Sequence, residues 1–447
     1  MIRRPLPAAR LLELLREGQV SEFLARARLL EPADLADVLA QADEDERIEI
    51  AKLLPPDLTG EALIEMPEEE HAEETLAALP REQAAEIVGE MPDDDAADIL
   101  GGLEPEEQRR ILSAVHLEER QDVERLLEYD KETAGGLMTG RMVTVRPEMT
   151  VGEALESIRK QAEAVEDFTE TYVVGPDGRL AGVLGFKRLV LSPPARSVKE
   201  LMEEPDVTVG PEMDQEEVAR LMSRYNVPSI PVVDREGRLL GRITFDDVSD
   251  VVEREATEDL LRFGGVSAEE DLGARWFEAV KTRLPWLLVN LLTAFVAAAV
   301  VALFTSVVRA LPALAAWMTI ISGMGGNAGT QALAVTVRRL ALGLIPASAF
   351  VRVIGKEIMV GLACGIANGV VTALAALGFH QPPMLGVVVC LAMIGNLFVA
   401  GFAGAFIPLL LERFRIDPAI ASSVFVTTFT DVCGFALLLG LGGWLLL

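Results

Sequence analysis

The chain has 447 residues, half of them hydrophobic, and a formal net charge of −29. Nine of its 40 basic and five of its 69 acidic residues fall from position 276 onward, leaving 31 basic and 64 acidic residues in the first 275, a net −33. Such a field repels nucleic acid and draws cations, while the apolar remainder calls for a lipid bilayer.

The N-terminus reads MIRRPLPAAR and then becomes amphipathic. It lacks the apolar run and small-residue cleavage site of a signal peptide, so the acidic half is expected to stay in the cytoplasm. Leu54-Pro55, Met66-Pro67, Leu79-Pro80, Met91-Pro92 and Leu103-Glu104-Pro105 then recur every 12 or 13 residues. Each proline opens a stretch with acids first and aliphatics after, a helix-start signal. These units predict a solenoid of short helices over about 11–128, each too small to bury its own apolar face.

A duplication follows. Leu137-Met138, Val143-Thr144-Val145 and Pro147-Glu148-Met149 return 64 residues later as Leu201-Met202, Val207-Thr208-Val209 and Pro211-Glu212-Met213. Val173-Val174, Gly178-Arg179-Leu180 and Gly182 return 59 residues later as Val232-Val233, Gly237-Arg238-Leu239 and Gly241. Both copies read as strand, helix, strand, turn, strand, helix. The pattern resembles tandem CBS domains, which implies a pseudo-symmetric α/β pair that commonly dimerises. The last helix of the second copy does not stop early: the segment from Phe245 to Asp259 continues toward the membrane. Asp247, Asp250 and Glu258 can share one face of it, flanked by Asp246, Glu253 and Asp259. Like charges at those spacings need water or cations to be tolerated, and cations fit best.

Five apolar stretches, about 284–308, 311–337, 358–379, 385–411 and 419–447, are long enough to span a bilayer. Arg338, Arg339, Arg352 and Lys356 lie between the second and third, and Arg413 and Arg415 between the fourth and fifth. The positive-inside rule therefore places the N-terminal half in the cytoplasm and the C-terminus outside.

Polar groups inside the spans need a partner, water or an ion. Asp431 is the clearest, in Thr427-Thr428-Phe429-Thr430-Asp431, with no basic residue at similar depth. Four glycines in Gly323-Met324-Gly325-Gly326-Asn327-Ala328-Gly329-Thr330-Gln331 permit close backbone approach. Asn327, Thr330 and Gln331 add neutral oxygens suited to a hydrated cation, and Asn396, Gly401 and Gly404 read as packing residues. Candidate pore residues are thus Asp431, Asn327, Thr330, Gln331 and Thr427.

Cys364, Cys390 and Cys433 show no pairing or CxxC spacing, and His71, His116 and His380 stand far apart, so no disulfide framework, zinc site or histidine-based metal site is suggested. Walker-type loops and nucleophile–base pairs are absent as well, which argues against an enzyme.

Ala134-Gly135-Gly136-Leu137-Met138-Thr139, Glu255-Ala256-Thr257-Glu258-Asp259, Gly325-Gly326-Asn327 with Gln331, Asp417-Pro418-Ala419, and Asp431-Val432 with Gly434 occur in an order that resembles the MgtE family of magnesium channels along nearly the entire chain. The resemblance implies an acidic helical solenoid (1–130), two CBS copies (131–200 and 201–247), a connecting plug helix (248–273) and a five-helix transmembrane pore (274–447) in the cell (inner) membrane. It further implies a homodimer with one shared pore, in which Asp431 of both subunits holds hydrated Mg²⁺. Mg²⁺ retains its waters and prefers oxygen ligands, which makes that role chemically sound.

Cytoplasmic Mg²⁺ is then expected to close the pore by bridging acids at Asp94, Asp98, Asp214, Glu216, Asp246, Asp247, Asp250, Glu255, Glu258, Asp259 and Asp417. Other divalent cations are possible substrates. The chain departs from the family at Asn226, where an acid can contribute to a regulatory site, and at Val424, where proline is common. Some members bind ATP; here Lys187 and Arg188 are weak phosphate candidates, and no aromatic beside Val227 offers adenosine a stacking face. Two rivals remain: an ion-coupled divalent-cation transporter, and a membrane-anchored CBS nucleotide receptor.

Overall fold

The computed structural model describes residues 8–67, 70–162, 165, 168–266, 276–414, 416 and 418–447, without the side chains of 259, 278, 347 and 418–422. It divides into two compact units, Met1–Glu253 and Arg254–Leu447.

The first unit opens with ten short helices among the described residues: α1 (Ala8–Arg16), α2 (Val20–Ala27), α3 (Pro32–Ala40), α4 (Glu44–Leu53), α5 (Pro56–Ile64), α6 (Ala72–Ala77), α7 (Arg81–Glu90), α8 (Asp93–Gly101), α9 (Pro105–Leu112) and α10 (Leu117–Leu126). Of the repeated prolines, Pro105 occupies a first-turn position and Pro55, Pro80 and Pro92 stand one residue earlier as N-caps of α5, α7 and α8, whereas Pro67 lies five residues before α6 and does not open it. Odd-numbered helices from α1 to α9 pack successively on one another, and so do even-numbered ones from α4 to α10. Two rows thus bury what no single helix could. Phe23, Leu35, Leu39, Ile50, Leu63, Leu76, Ile87 and Leu100 are fully buried along the interior.

The duplicated region forms β1 (Thr144–Val145), α11 (Val151–Gln161), β2 (Glu170–Val174), β3 (Leu180–Gly185) and α12 (Phe186–Val190), then α13 (Gln215–Tyr225), β4 (Ser229–Val233), β5 (Leu239–Thr244) and α14 (Phe245–Phe263). In the first copy β1 runs parallel to β2 and β2 antiparallel to β3; in the second, β4 and β5 are antiparallel. The expected first strand of the second copy shrinks to a single parallel bridge, Val209 to Val232.

Pseudo-symmetry is visible in reciprocal bonds. Leu180 N donates to the Gly237 carbonyl at 3.0 Å and Leu239 N to the Gly178 carbonyl at 3.1 Å. Both glycines have φ of +79°, a left-handed conformation that suits a residue without Cβ. Thr139 likewise exchanges backbone bonds with Arg242, and Glu203 with Val183. A methyl group on Gly182 or Gly241 would lie 2.6 Å from the Glu203 or 2.7 Å from the Thr139 carbonyl, so the repeated glycines admit these crossings. The final helices differ as expected: α12 has five residues and α14 has 19.

In the second unit α15 (Trp276–Leu303) leads through the short α16 (Thr305–Ala310) to α17 (Leu314–Ala341), α18 (Phe350–Gly378), α19 (Pro383–Arg413) and α20 (Pro418–Leu446). The first expected span begins earlier and ends at Leu303, because the chain breaks helix at Phe304 before α16. Among the described residues four helices, Ala279–Leu303, Phe350–Gly378, Pro383–Arg413 and Ser423–Leu446, are long and apolar enough to cross a membrane. The second expected stretch forms α17, whose 28 residues include the glycine-rich polar run that keeps it out of that set. Helix α19 packs against α17, α18 and α20. Small residues let α18 and α19 cross closely, since a methyl on Gly361 would lie 2.3 Å from the Leu397 carbonyl.

Candidate ion pathway and acidic cluster

Helix α17 keeps one polar side open. Gly325 and Gly329 turn inward, where a methyl on Gly329 would meet Val426 at 2.5 Å, whereas Gly323 and Gly326 have nothing within 4 Å. Asn327 and Gln331 are exposed one turn apart. Thr330 is half-buried and donates its hydroxyl to the Gly326 carbonyl at 2.9 Å.

On α20, Asp431 is half-buried and Thr427 is exposed one turn before it. The Ser322 hydroxyl of α17 donates to Asp431 Oδ1 at 2.5 Å. Among the described residues this carboxylate forms no ion pair. Thr427, Thr428 and Thr430 turn their hydroxyls back onto carbonyls of their own helix, which satisfies them locally. A carboxylate in mid-span costs about 2.5–3.5 kcal/mol, and one hydroxyl leaves much of its charge for water or a cation. The five pore candidates therefore divide between α17 and α20, joined through Ser322. Sequence reasoning passed over Ser322; its only signal was a hydroxyl in the apolar run before the glycines. It also passed over Glu357, a buried acid on α18 with Lys356 Nζ 3.6 Å away.

In the first unit, helix α8 begins with three aspartates in its first turn, where the helix dipole favours acids. Asp93 is buried and accepts from the Thr139 hydroxyl at 2.5 Å and from Gly140 N at 2.9 Å. Its neighbour Asp94 has a buried Oδ1 without a hydrogen-bond partner. Burial, then the charges of Asp95, Asp247 and Asp93, push Asp94 well above the ordinary carboxylate range. Burial also pushes Asp247 up to about 6, with Asp246 and Asp250 acting the same way and the Thr244 hydrogen bonds opposing. Helices α8 and α14 thus bring two predicted acids, Asp94 and Asp247, within each other's field.

Asp246 and Asp250 add their charges to that of Asp247, and the remaining predicted acids are distributed over the helices. Asp98 is half-buried, and Lys131 Nζ donates to its backbone carbonyl at 2.8 Å. Asp214 caps α13 by accepting from Glu216 N at 2.9 Å, and both are exposed. Asp246 and Asp250 are exposed on α14; Glu255 and Glu258 are half-buried, and Glu258 pairs with Arg262. The Asp259 side chain and Asp417 lie outside the described residues. Among the described residues no three His, Cys, Asp or Glu groups converge as a metal-ligand set. Asn226 has φ of +52° at the C-terminus of α13, a left-handed position that asparagine tolerates well. Lys187 and Arg188 are exposed on α12, and Arg188 pairs with Glu203.

Comparison with known proteins identifies the parts. Residues 318–441 match the MgtE divalent cation transporter family, 30–132 the MgtE intracellular N domain, and 134–192 and 198–254 the CBS domain. The magnesium transporter MgtE of Thermus thermophilus is 38% identical over 333 residues, 73% of each chain. That of Bacillus subtilis is 33% identical over 319 residues, 71% of each chain. The crystal structure of the cytosolic domain of the Mg²⁺ channel MgtE in complex with ATP superposes with a TM-score of 0.52 at 38% identity, covering 55% of this chain and 99% of that one. The soluble part of a magnesium transporter superposes with a TM-score of 0.51 at 29% identity, covering 56% and 98%. With its intracellular domain, its CBS pair and its apolar helices all matched in order, the chain belongs to the MgtE family of magnesium transporters.

Proposed function

We propose that the protein is a homodimeric Mg²⁺ channel that cytoplasmic Mg²⁺ closes. Five helices, α15 and α17–α20, cross the membrane, with the N-terminal unit in the cytoplasm and the C-terminus outside. The polar side of α17 and the Thr427–Asp431 side of α20 line a path shared by two subunits. The observation that carries this reading is Asp431, a carboxylate without a cationic partner among the described residues, hydrogen-bonded to Ser322 of the helix that also exposes the Asn327 and Gln331 amides. Two such carboxylates suit an ion that keeps its waters.

The N-terminal solenoid, the CBS pair and α14 act as the sensor. Asp94 and Asp247 fit a hard divalent cation because one buried oxygen lacks a donor and both acids resist ionisation together. Mg²⁺ would be held by few carboxylates, with water completing its shell. When it is scarce, repulsion among the acids releases α14; when it is abundant, neutralisation holds the closed arrangement. Glu255, Glu258, Asp259, Asp98, Asp214, Glu216 and Asp417 extend the acidic surface available to such bridging. The ATP complex of the related cytosolic domain supports nucleotide binding by this CBS pair.

The test is Mg²⁺ entry into dye-loaded liposomes under imposed pH and Na⁺ gradients. Entry that ignores both gradients and fades as cytoplasmic-side Mg²⁺ rises supports a regulated channel. Entry that follows either gradient selects the coupled transporter, and sealed liposomes with tight ATP binding select the receptor.

A further inference from the structure

Asn396 stands on α19 between the two helices that carry the polar path, and it is fully buried. Its Nδ2 donates to the Ile321 carbonyl of α17 at 2.8 Å, while its Oδ1 has no partner. In an α-helix that carbonyl already faces the amide of residue 325, so Asn396 supplies a second donor to an acceptor with two lone pairs.

Two glycines make the space. A methyl on Gly325 would lie 2.2 Å from Asn396 Nδ2, and one on Gly434 of α20 would lie 2.8 Å from the same atom. Packing alone does not account for the choice. Leucine has the same branched side-chain skeleton and no polar atoms, whereas a buried amide with an unmatched oxygen is unfavourable.

Position supplies the reason. Ile321 directly precedes Ser322, the donor to Asp431, and Gly434 lies about one turn beyond Asp431 on α20. The amide therefore grips both helices next to the Ser322–Asp431 hydrogen bond.

We propose that Asn396 is a positioning residue for ion selectivity. By holding α17 at Ile321 and resting against Gly434, it fixes the Ser322 hydroxyl on one oxygen of Asp431 and so sets the direction of the other toward the ion. The selectivity part rests on the reading of Asp431 as a pore ligand. A hydrated ion is recognised by where the oxygens stand, so a loosened carboxylate relaxes discrimination before it abolishes passage.

The experiment uses the full chain with Asn396→Leu, Asn396→Ser, Ser322→Ala and the Asn396→Leu/Ser322→Ala pair. The Asp431 carboxylate band is isolated by subtracting the infrared spectrum of Asp431→Asn, and Mg²⁺ and Ca²⁺ entry are measured in liposomes. Both Asn396 variants should shift the band in the direction seen for Ser322→Ala, and the pair should shift it no further than Ser322→Ala alone. The Mg²⁺ to Ca²⁺ entry ratio should fall by about tenfold, the scale of losing a ligand-orienting partner, with the Mg²⁺ dependence of closure unchanged. An unmoved band in either folded Asn396 variant, or shifts that add in the pair, overturns the proposal. If the native chain passes no Mg²⁺, the channel reading fails, and the infrared comparison still decides whether Asn396 positions Asp431.

Discussion

Asp93 and Thr139 join the N-terminal helices to the entrance of the first CBS copy through a 2.5 Å hydrogen bond, and the next residue, Gly140, donates to the same carboxylate at 2.9 Å. Asp93 is therefore occupied as a structural latch, while adjacent Asp94 is turned to the field of Asp247. Thr139→Val leaves one buried carboxylate oxygen short of a donor and should destabilise this junction by about 1–3 kcal/mol. Gly140→Ala should do the same by contact, since its methyl would lie 2.8 Å from Asp93 Oδ2 and 2.5 Å from Arg125 Nη2. Chemical denaturation of the full protein, followed by hydrogen exchange in α8, measures both.

The acidity of Asp247 gives a pH dependence of defined sign. An unfolded aspartate titrates near 3.8 and the folded one at about 6. Below the lower value both states are protonated and the group has no effect. Between the two values the unfolded state ionises first and stability falls, and above the upper value the full loss of about 3 kcal/mol is present. Without divalent ions, amides of α8 and of residues 245–251 should exchange faster at pH 8 than at pH 5 after correction for intrinsic rates. Asp247→Asn should flatten that difference, and Mg²⁺ should reduce it in the native chain. Equal pH slopes in native and variant chains would contradict the assignment.

Closure by Mg²⁺ should depend on the same acids. Asp94→Asn and Asp247→Asn each remove repulsion and a ligand together, so the midpoint can move either way but the response must become shallower. The slope of flux against cytoplasmic-side Mg²⁺ measures this, and an unchanged slope in both variants removes these acids from the sensor.

The α18–α19 crossing should tolerate no added volume. Gly361→Val would press a side chain into the Leu397 carbonyl, already 2.3 Å from where a first carbon would stand. Overpacking of this kind typically costs about 1–3 kcal/mol or more. The variant should yield less monodisperse protein and a lower melting temperature, whereas Gly355→Ala on the same helix, with open space around it, should behave as the native chain.

The duplicated CBS region was legible because each repeated residue does repeated work: Gly178 and Gly237 make the same left-handed turn, and Gly182 and Gly241 admit the same crossing. At Pro55, Pro80, Pro92 and Pro105, though not at Pro67, the proline period likewise marked helix starts, which are local events set by the missing amide of proline. Asp431 and the glycine run were legible because polar or flexible residues stand out in an apolar span. Ser322, Asn396 and Asp93 were not legible in these roles. Their meaning depends on partners 109, 75 and 46 residues away, and only the packed fold shows which of several similar serines, asparagines and aspartates meets them. The weak first strand of the second CBS copy escaped for a related reason: its sequence repeats, but its pairing ends after one bridge.

The most direct test of a magnesium pathway through Asp431 is Mg²⁺ influx into dye-loaded liposomes at low cytoplasmic-side Mg²⁺, comparing the native chain with Asp431→Asn. The account predicts rapid influx through the native protein and its loss in a variant that keeps the native melting temperature and dimeric size. Native-level, Mg²⁺-selective influx through that folded variant would contradict it.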